Sequence, residues 1–248
     1  EVLGAIAIAV VGSVGFVITQ ARGRHAMVPL ELFRSRTVAA GLGTAFVTMA
    51  AFYGVVFLQS LYFQQERGQS ALITGLLFLP MTGMVAALNP LVARVMERIG
   101  LLAATVIGIA VMTCGLIGLG LLSLTAPVWV VALVMVPVGV GGSFTVPPLT
   151  ALIMGAIPAE RAGAASGVLN TARQMGGSVG VATFGAVLAT QSRFVTGLRL
   201  DVGVTAGLLI LLGLATLRLR SNERPLSTER PLSTERSPQK GTPCTTSP

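Results

Sequence analysis

The sequence predicts an all-α polytopic membrane protein of seven transmembrane helices with a disordered tail, and three observations lead to that reading. Of the 248 residues 53% are hydrophobic and only 10% charged, where soluble domains carry about 25% charged residues. The charges are gathered into short clusters separated by long uncharged runs. Those runs reach the roughly 20 apolar residues that a helix needs to cross a hydrocarbon core about 30 Å thick. Too few charges are present to clothe a soluble core, so apolar surface is expected to face lipid. The runs show no period of two, which argues against a closed barrel.

The first run, residues 2–21, holds no charge, and Arg22, Arg24, His25, Glu31, Arg34 and Arg36 then crowd into one loop. The chain opens on Glu1 without a basic leader or cleavage site, so this run does not read as a signal peptide. A chain opening inside a hydrophobic helix is expected to be cut from something longer. The second run spans 37–65 and the third 68–93, closed by Arg94, Glu97 and Arg98. Residues 99–159 are too many for one helix. They divide at Thr125-Ala126-Pro127, because proline is disfavoured inside a helix but suits its first turn. A sixth span covers about 163–190 with Arg173 as its one charge, and a seventh covers about 202–217.

Basic residues in short loops concentrate on the cytoplasmic side. Alternate loops and the start of the tail hold Arg22, Arg24, Arg34, Arg36, Arg94, Arg98, Arg161, Arg218 and Arg220; the opposite set holds only Arg67, Arg193 and Arg199. This asymmetry puts the C-terminus in the cytoplasm of a multi-pass protein of the cell membrane. Trp129, Tyr62 and Phe63 would then lie near the outer interface. After Arg220 a polar segment repeats the hexad Glu223-Arg-Pro-Leu-Ser-Thr228 as Glu229-Arg-Pro-Leu-Ser-Thr234. It cannot bury a core and reads as a disordered tail, with a docking or phosphorylation segment as the alternative.

Charge and cysteine content exclude several classes. The net charge of +8 is spread over loops rather than along one stripe, so nucleic-acid binding is not expected. Cys114 lies in an apolar run and Cys244 in the tail, which disfavours a bridge. No second His or Cys is spaced to share a metal with His25, no phosphate-binding loop is present, and no cofactor is expected. The spans carry no acid, His or metal ligand set for catalysis, so an enzyme is not expected. With no Asp or Glu assigned inside spans two to seven, proton coupling is not expected from this piece itself.

Candidate functional residues follow from polar groups inside the spans. Arg173 sits in Asn170-Thr-Ala-Arg-Gln-Met-Gly-Gly-Ser178, and a membrane-embedded charge is costly unless paired or hydrated. Asn170, Arg173, Gln174 and Gly177 share a helix face, which is expected to look into a water-filled cavity or a neighbouring helix. The alternative is that Arg173 snorkels to the headgroups while Asn170 and Gln174 bond adjacent helices. In the second span Phe46, Met49, Tyr53 and Phe57 form one face suited to lipophilic cations, or simply to packing. Asn89 in the third span is a further cavity candidate. Pro80, Pro90, Pro137, Pro147 and Pro148 permit bends, and recurrent glycines let helices approach closely.

Several stretches resemble one family. Pro29-Leu-Glu-Leu-Phe-Arg-Ser-Arg-Thr37, Tyr62-Phe-Gln-Gln65 and Gly75-Leu-Leu-Phe-Leu-Pro80 are similar, in order, to the second half of fourteen-helix drug:proton antiporters of the EmrB/QacA type. That type belongs to the major facilitator superfamily. Pro90-Leu-Val-Ala-Arg-Val-Met-Glu-Arg-Ile-Gly100 resembles the short basic cytoplasmic loop found in both halves of that superfamily. The most specific match combines Val146-Pro-Pro-Leu-Thr150, Arg161-Ala-Gly-Ala-Ala-Ser-Gly167 and residues 170–177.

The resemblance implies a linker helix over 1–21, a cytoplasmic loop over 22–36, a six-helix C-terminal bundle over 37–218 and a tail over 219–248. It implies conformational roles for Arg94, Arg98 and Gly100, and cavity exposure for the second, third, fifth and sixth spans. The implied function is the C-terminal part of a proton-coupled multidrug or small-metabolite efflux antiporter working by alternating access. Its partners would be the lipid bilayer, a missing N-terminal bundle, protons and a lipophilic small molecule, cations included. The alternative is a non-transporting fragment, from a broken gene or incomplete gene model, or a membrane subunit.

Overall fold

A computed structural model of the chain describes residues 35–123, 125–190 and 194–220, together with positions 4, 11, 12, 14 and 15. Apart from those five positions, the expected linker span and the loop with His25 lie outside the described residues, as does the tail with Cys244 and the hexads. Among the described residues the chain is entirely helical: α1 (Arg36–Leu61), α2 (Ala71–Ile99), α3 (Leu101–Leu121), α4 (Val128–Val134), α5 (Val136–Gly155), α6 (Ala162–Thr190) and α7 (Phe194–Arg220). A π-helical turn, Tyr62–Glu66, ends α1, and a short 3-10 turn, Ala159–Arg161, precedes α6.

Local chemistry explains the helix limits. Ser35 and Ser70 cap α1 and α2, their hydroxyls accepting from the Val38 and Ile73 amides. The expected break at Pro127 is present, with Pro127 as the residue that enters α4. A second break falls at Met135, because Pro137 cannot donate to the Leu133 carbonyl and its ring crowds that oxygen. The two short pieces together form one span, Val128–Gly155.

Thr37–Glu66, Ala71–Ile99, Leu101–Leu121, Val128–Gly155 and Thr196–Thr216 are each long and apolar enough, by length and composition, to cross a membrane. These correspond to the second to fifth and the seventh expected spans. The sixth, α6, has 29 residues, more than the roughly 20 a crossing requires, but Gly, Ser, Thr, Asn and Gln dilute its apolar character. Most buried threonine hydroxyls within the helices are satisfied by their own backbones, Thr44 donating to Ala40, Thr105 to Leu101, Thr113 to Ile109, Thr145 to Gly141 and Thr216 to Leu212, while Thr48 and Thr74 lack a partner. Such internal bonding is what a solvent without hydrogen bonds requires.

Two helix pairs pack most closely, α3 with α5 and α1 with α6. A Cβ on Gly141 would strike Met112 of α3, and one on Gly180 would strike the Ala50 backbone of α1. Absence of a side chain is what lets these helices touch backbone to backbone. α7 lies against α3 and α1, antiparallel to α3, with Gly213 beside Ile109 and Val202 beside Gly120. One core cluster joins Val55, Tyr62, Phe63, Met112, Leu116, Val202 and Leu209; a second joins Val38, Leu42, Leu149, Ile153 and Leu169 at the other end of the bundle.

Of the three aromatics expected near the outer interface, Tyr62 and Phe63 are buried within the bundle, Phe63 edge-on to Phe78, and Trp129 is exposed. One expectation changes. The seventh helix begins eight residues earlier than expected, so Arg199 and Asp201 lie on α7 rather than in a loop. Asp201 stands inside the apolar segment Thr196–Thr216, which corrects the reading that these spans carry no acid.

Candidate functional site

The polar residues of α6 divide between two directions. Asn170, Thr171, Gln174 and Ser178 are exposed, whereas Gly176, Gly177 and Gly180 are buried against α1. Asn170, Gln174 and Ser178 recur every four positions and run along the outside of a helix long enough to cross the bilayer. Exposed amides are out of place against lipid, where they have no partner.

Arg173 does not share that exposed stripe. It is half-buried and turned toward α5, where its guanidinium donates to the Thr150 hydroxyl and to the Val146 carbonyl at 3.4 Å. The Thr150 hydroxyl donates onward to the same carbonyl at 2.7 Å. The charge therefore reaches protein groups rather than headgroups. Its Nε is buried without a partner, so the guanidinium is only partly satisfied. The helical-wheel face of Asn170, Arg173, Gln174 and Gly177 is in fact three environments: outside, the α5 seam and the α1 seam.

The aromatic face of α1 is likewise divided. Phe46 and Phe57 are half-buried in the seam with α6, Phe46 through its backbone against Gly176 and Phe57 beside Gly185. Their position is that of packing residues. Tyr53 is 45% exposed, covers Gly177 and meets Phe52 edge-to-face with centroids 5.5 Å apart. It lies next to the α6 stripe and continues it onto α1.

On α2, only Thr74, Met81 and Val92 are buried, a single narrow line along which the helix touches α5 through Met81 and Gly139. Asn89, Arg94 and Arg98 are all exposed. The two arginines stand in the last turns of the helix, where its carbonyl end favours cations. Gly100 alone connects α2 to α3, with φ 84° and ψ 163°, a backbone region essentially limited to glycine. Its amide donates to the Met96 carbonyl and its carbonyl accepts from Ala104. Asn89 on α2 and Asn170 and Gln174 on α6 are thus each outward-facing polar groups, while Phe46, Phe57 and Arg173 are half-buried.

Between α1, α3, α5 and α7 a cavity of about 20 Å³ is lined by Thr37, Thr44, Leu102, Leu149, Ile153 and Thr216 among others. That is room for one water, not for an organic substrate. No cluster that could hold a metal occurs among the described residues. Sequence reasoning missed Asp201, which is buried on α7; the signal available was its proximity to an apolar run that a helix could extend to include.

The model of the Major Facilitator Superfamily matches residues 3–181. Multidrug resistance protein Stp of Mycobacterium tuberculosis is 35% identical over 184 residues, covering 73% of this chain and 34% of its own length. The tetracenomycin C resistance and export protein of Streptomyces glaucescens is 31% identical over 189 residues, 76% of this chain and 35% of the relative. The methylenomycin A resistance protein of Streptomyces coelicolor is 32% identical over 214 residues, 86% and 44% respectively. The chain therefore spans less than half the length of these curated relatives. With a match over most of its length and membrane-length helices throughout, the chain belongs to the major facilitator superfamily.

Proposed function

We propose that this chain is the C-terminal part of a proton-coupled multidrug or small-metabolite efflux antiporter, working by alternating access against a second helical bundle. The observation that carries this reading is the exposed polar stripe of α6, Asn170, Gln174 and Ser178, continued by Tyr53. A helix in lipid does not spend amides on its lipid face. Such a stripe is suited to line a hydrated path whose other wall belongs to another bundle. The resistance and export functions in the names of similar proteins support a small-molecule cargo. The aromatic Tyr53 beside uncharged amides suits lipophilic compounds, including cations held by ring faces.

In this reading residues 37–218 form the C-terminal bundle, 1–21 a linker helix, 22–36 a cytoplasmic loop and 219–248 a cytoplasmic tail. Arg94, Arg98 and Gly100 then form a cytoplasmic turn whose geometry changes as the bundles rock. Arg173 steadies α6 against α5 rather than touching cargo, and Phe46 and Phe57 hold the α1–α6 wall.

The test is efflux of a fluorescent lipophilic cation from cells that make this chain joined to an N-terminal bundle of the same superfamily. Alanine at Tyr53, Asn89, Asn170 and Gln174 is expected to lower efflux or change substrate range at normal expression. Efflux unchanged by all four replacements would overturn the assignment of the path. No efflux by the unmodified protein with any N-terminal bundle would overturn the transporter reading itself.

A further inference from the structure

Among the described residues Asp201 is the one buried charged side chain. It lies on α7 inside the apolar segment Thr196–Thr216, is only 4% exposed, and its Oδ2 is buried without a hydrogen-bond partner. One and two turns further along the same helix face Thr205 and Leu209 are buried, and Leu209 belongs to the main core cluster with Tyr62 and Phe63. An ionised carboxylate in such surroundings lacks the partners that would offset its lost hydration.

A second buried group with the complementary deficiency stands at the same depth. Gln59 of α1 is 2% exposed, and its Oε1 has no donor. Thr44 of α1 and Thr216 of α7 line one cavity toward the other end of the bundle. The same number of residues separates Thr44 from Gln59 along α1 and Thr216 from Asp201 along α7, which runs the opposite way. A protonated carboxyl has one O–H to donate, which an ionised one has not. A proton on Asp201 adds one donor at the depth where the Gln59 Oε1 has none.

Other charged and titratable groups do not explain the site. At this end α1 closes with Tyr62, Glu66 and Arg67; the Arg67 guanidinium donates to the Ala126 carbonyl at 2.8 Å and lies 5.9 Å from the Tyr62 ring centroid. α3 carries only Cys114, which is exposed, and α6 carries Arg173, which bonds α5. On α7 itself Arg199 is exposed. Asp201 is about two turns from the start of its helix, so water at that end is close.

We propose that Asp201 is a proton-exchange site: its carboxylate takes a proton from water at the Tyr62 end of the bundle to become a neutral acid, and returns that proton to water as the pH rises. No bond other than O–H forms or breaks. This rests on the transporter reading for its purpose, since it places a proton-carrying acid in this half of the protein, but the exchange itself can be measured without transport.

The test uses the full chain in lipid nanodiscs and dicyclohexylcarbodiimide, a hydrophobic reagent that adds only to protonated carboxyl groups, with the modified peptide identified by mass spectrometry. Labelling of Asp201 is expected in acidic buffer and to fall about tenfold per pH unit above its midpoint. Asp201→Asn removes that label, while exposed Glu66 reacts instead with a water-soluble carbodiimide. Labelling that is constant across the pH range would make Asp201 a permanently neutral structural residue and overturn the proposal, as would no labelling at any pH. Failed efflux with a normal labelling titration would remove the transporter reading and leave the exchange site standing.

Discussion

Arg173 of α6 donates to the Thr150 hydroxyl of α5, and Thr150 passes the bond on to the Val146 carbonyl at 2.7 Å. Val146 immediately precedes Pro147 and Pro148, which lie inside α5 and cannot donate to the carbonyls of Ser143 and Phe144 one turn back. Arg173 thus braces α5 at the turn where its own ladder is weakest. Removing the relay by Thr150→Val should cost about 1 to 3 kcal/mol. A double-mutant cycle with Arg173→Gln, read from thermal unfolding in detergent, is expected to show coupling; simple additivity would mean that the contact carries no energy.

The α1–α6 seam makes a paired prediction about glycine. A Cβ on Gly180 meets the Ala50 backbone, with Ala50 Cα at 2.6 Å, while one on Gly167 meets nothing within 4 Å. Gly180→Ala should therefore lower stability by about 1 to 3 kcal/mol through overpacking. Gly167→Ala should be neutral or raise stability by up to about 1 kcal/mol through helix propensity. Equal effects in an unfolding assay would show that the seam relaxes freely.

At the α2–α3 connection, Gly100→Ala forces an L side chain onto φ 84°, ψ 163°. The expected loss is about 1 to 3 kcal/mol, visible as a lower Tm. Arg98→Ala on the adjacent turn is expected to change Tm little, since it is exposed and surface charges contribute little. A larger effect from Arg98 would place it in a contact beyond this bundle.

Water along the α6 stripe can be read from thiol chemistry. With Cys114 and Cys244 replaced by serine, Asn170→Cys and Gln174→Cys in the chain paired with an N-terminal bundle should react with a charged thiol reagent several-fold faster than Val204→Cys or Leu211→Cys. The reaction needs thiolate and water, and Val204 and Leu211 are exposed apolar positions of α7. Equal rates at all four positions would assign the stripe to lipid or to a dry helix contact.

The division of labour between chain and fold is visible in particular residues. The uncharged runs, the split at Pro127 and the presence of Arg173 within a span are properties of composition along a line. Hydrocarbon as solvent makes that line decisive, because every backbone group must be bonded within its own helix. Sequence alone therefore determined the all-helical membrane architecture and singled out α6.

Which way each residue faces was decided by tertiary structure. In water a buried helix face is marked by its hydrophobicity, but in a bilayer the outside is apolar too, so the pattern is blunted. Phe46 and Phe57 went to the α6 seam while Tyr53 stayed outside. Arg173 turned to α5 while Asn170 and Gln174 did not. Asp201 entered the bundle because α7 extends past the apolar run that marked it, and only packing against α1 and α3 buries its carboxylate on one face with Thr205 and Leu209. Composition fixes how many helices cross; close approach through residues such as Gly141 and Gly180 fixes which of their faces meet, because backbone contact depends on shape that hydropathy does not encode.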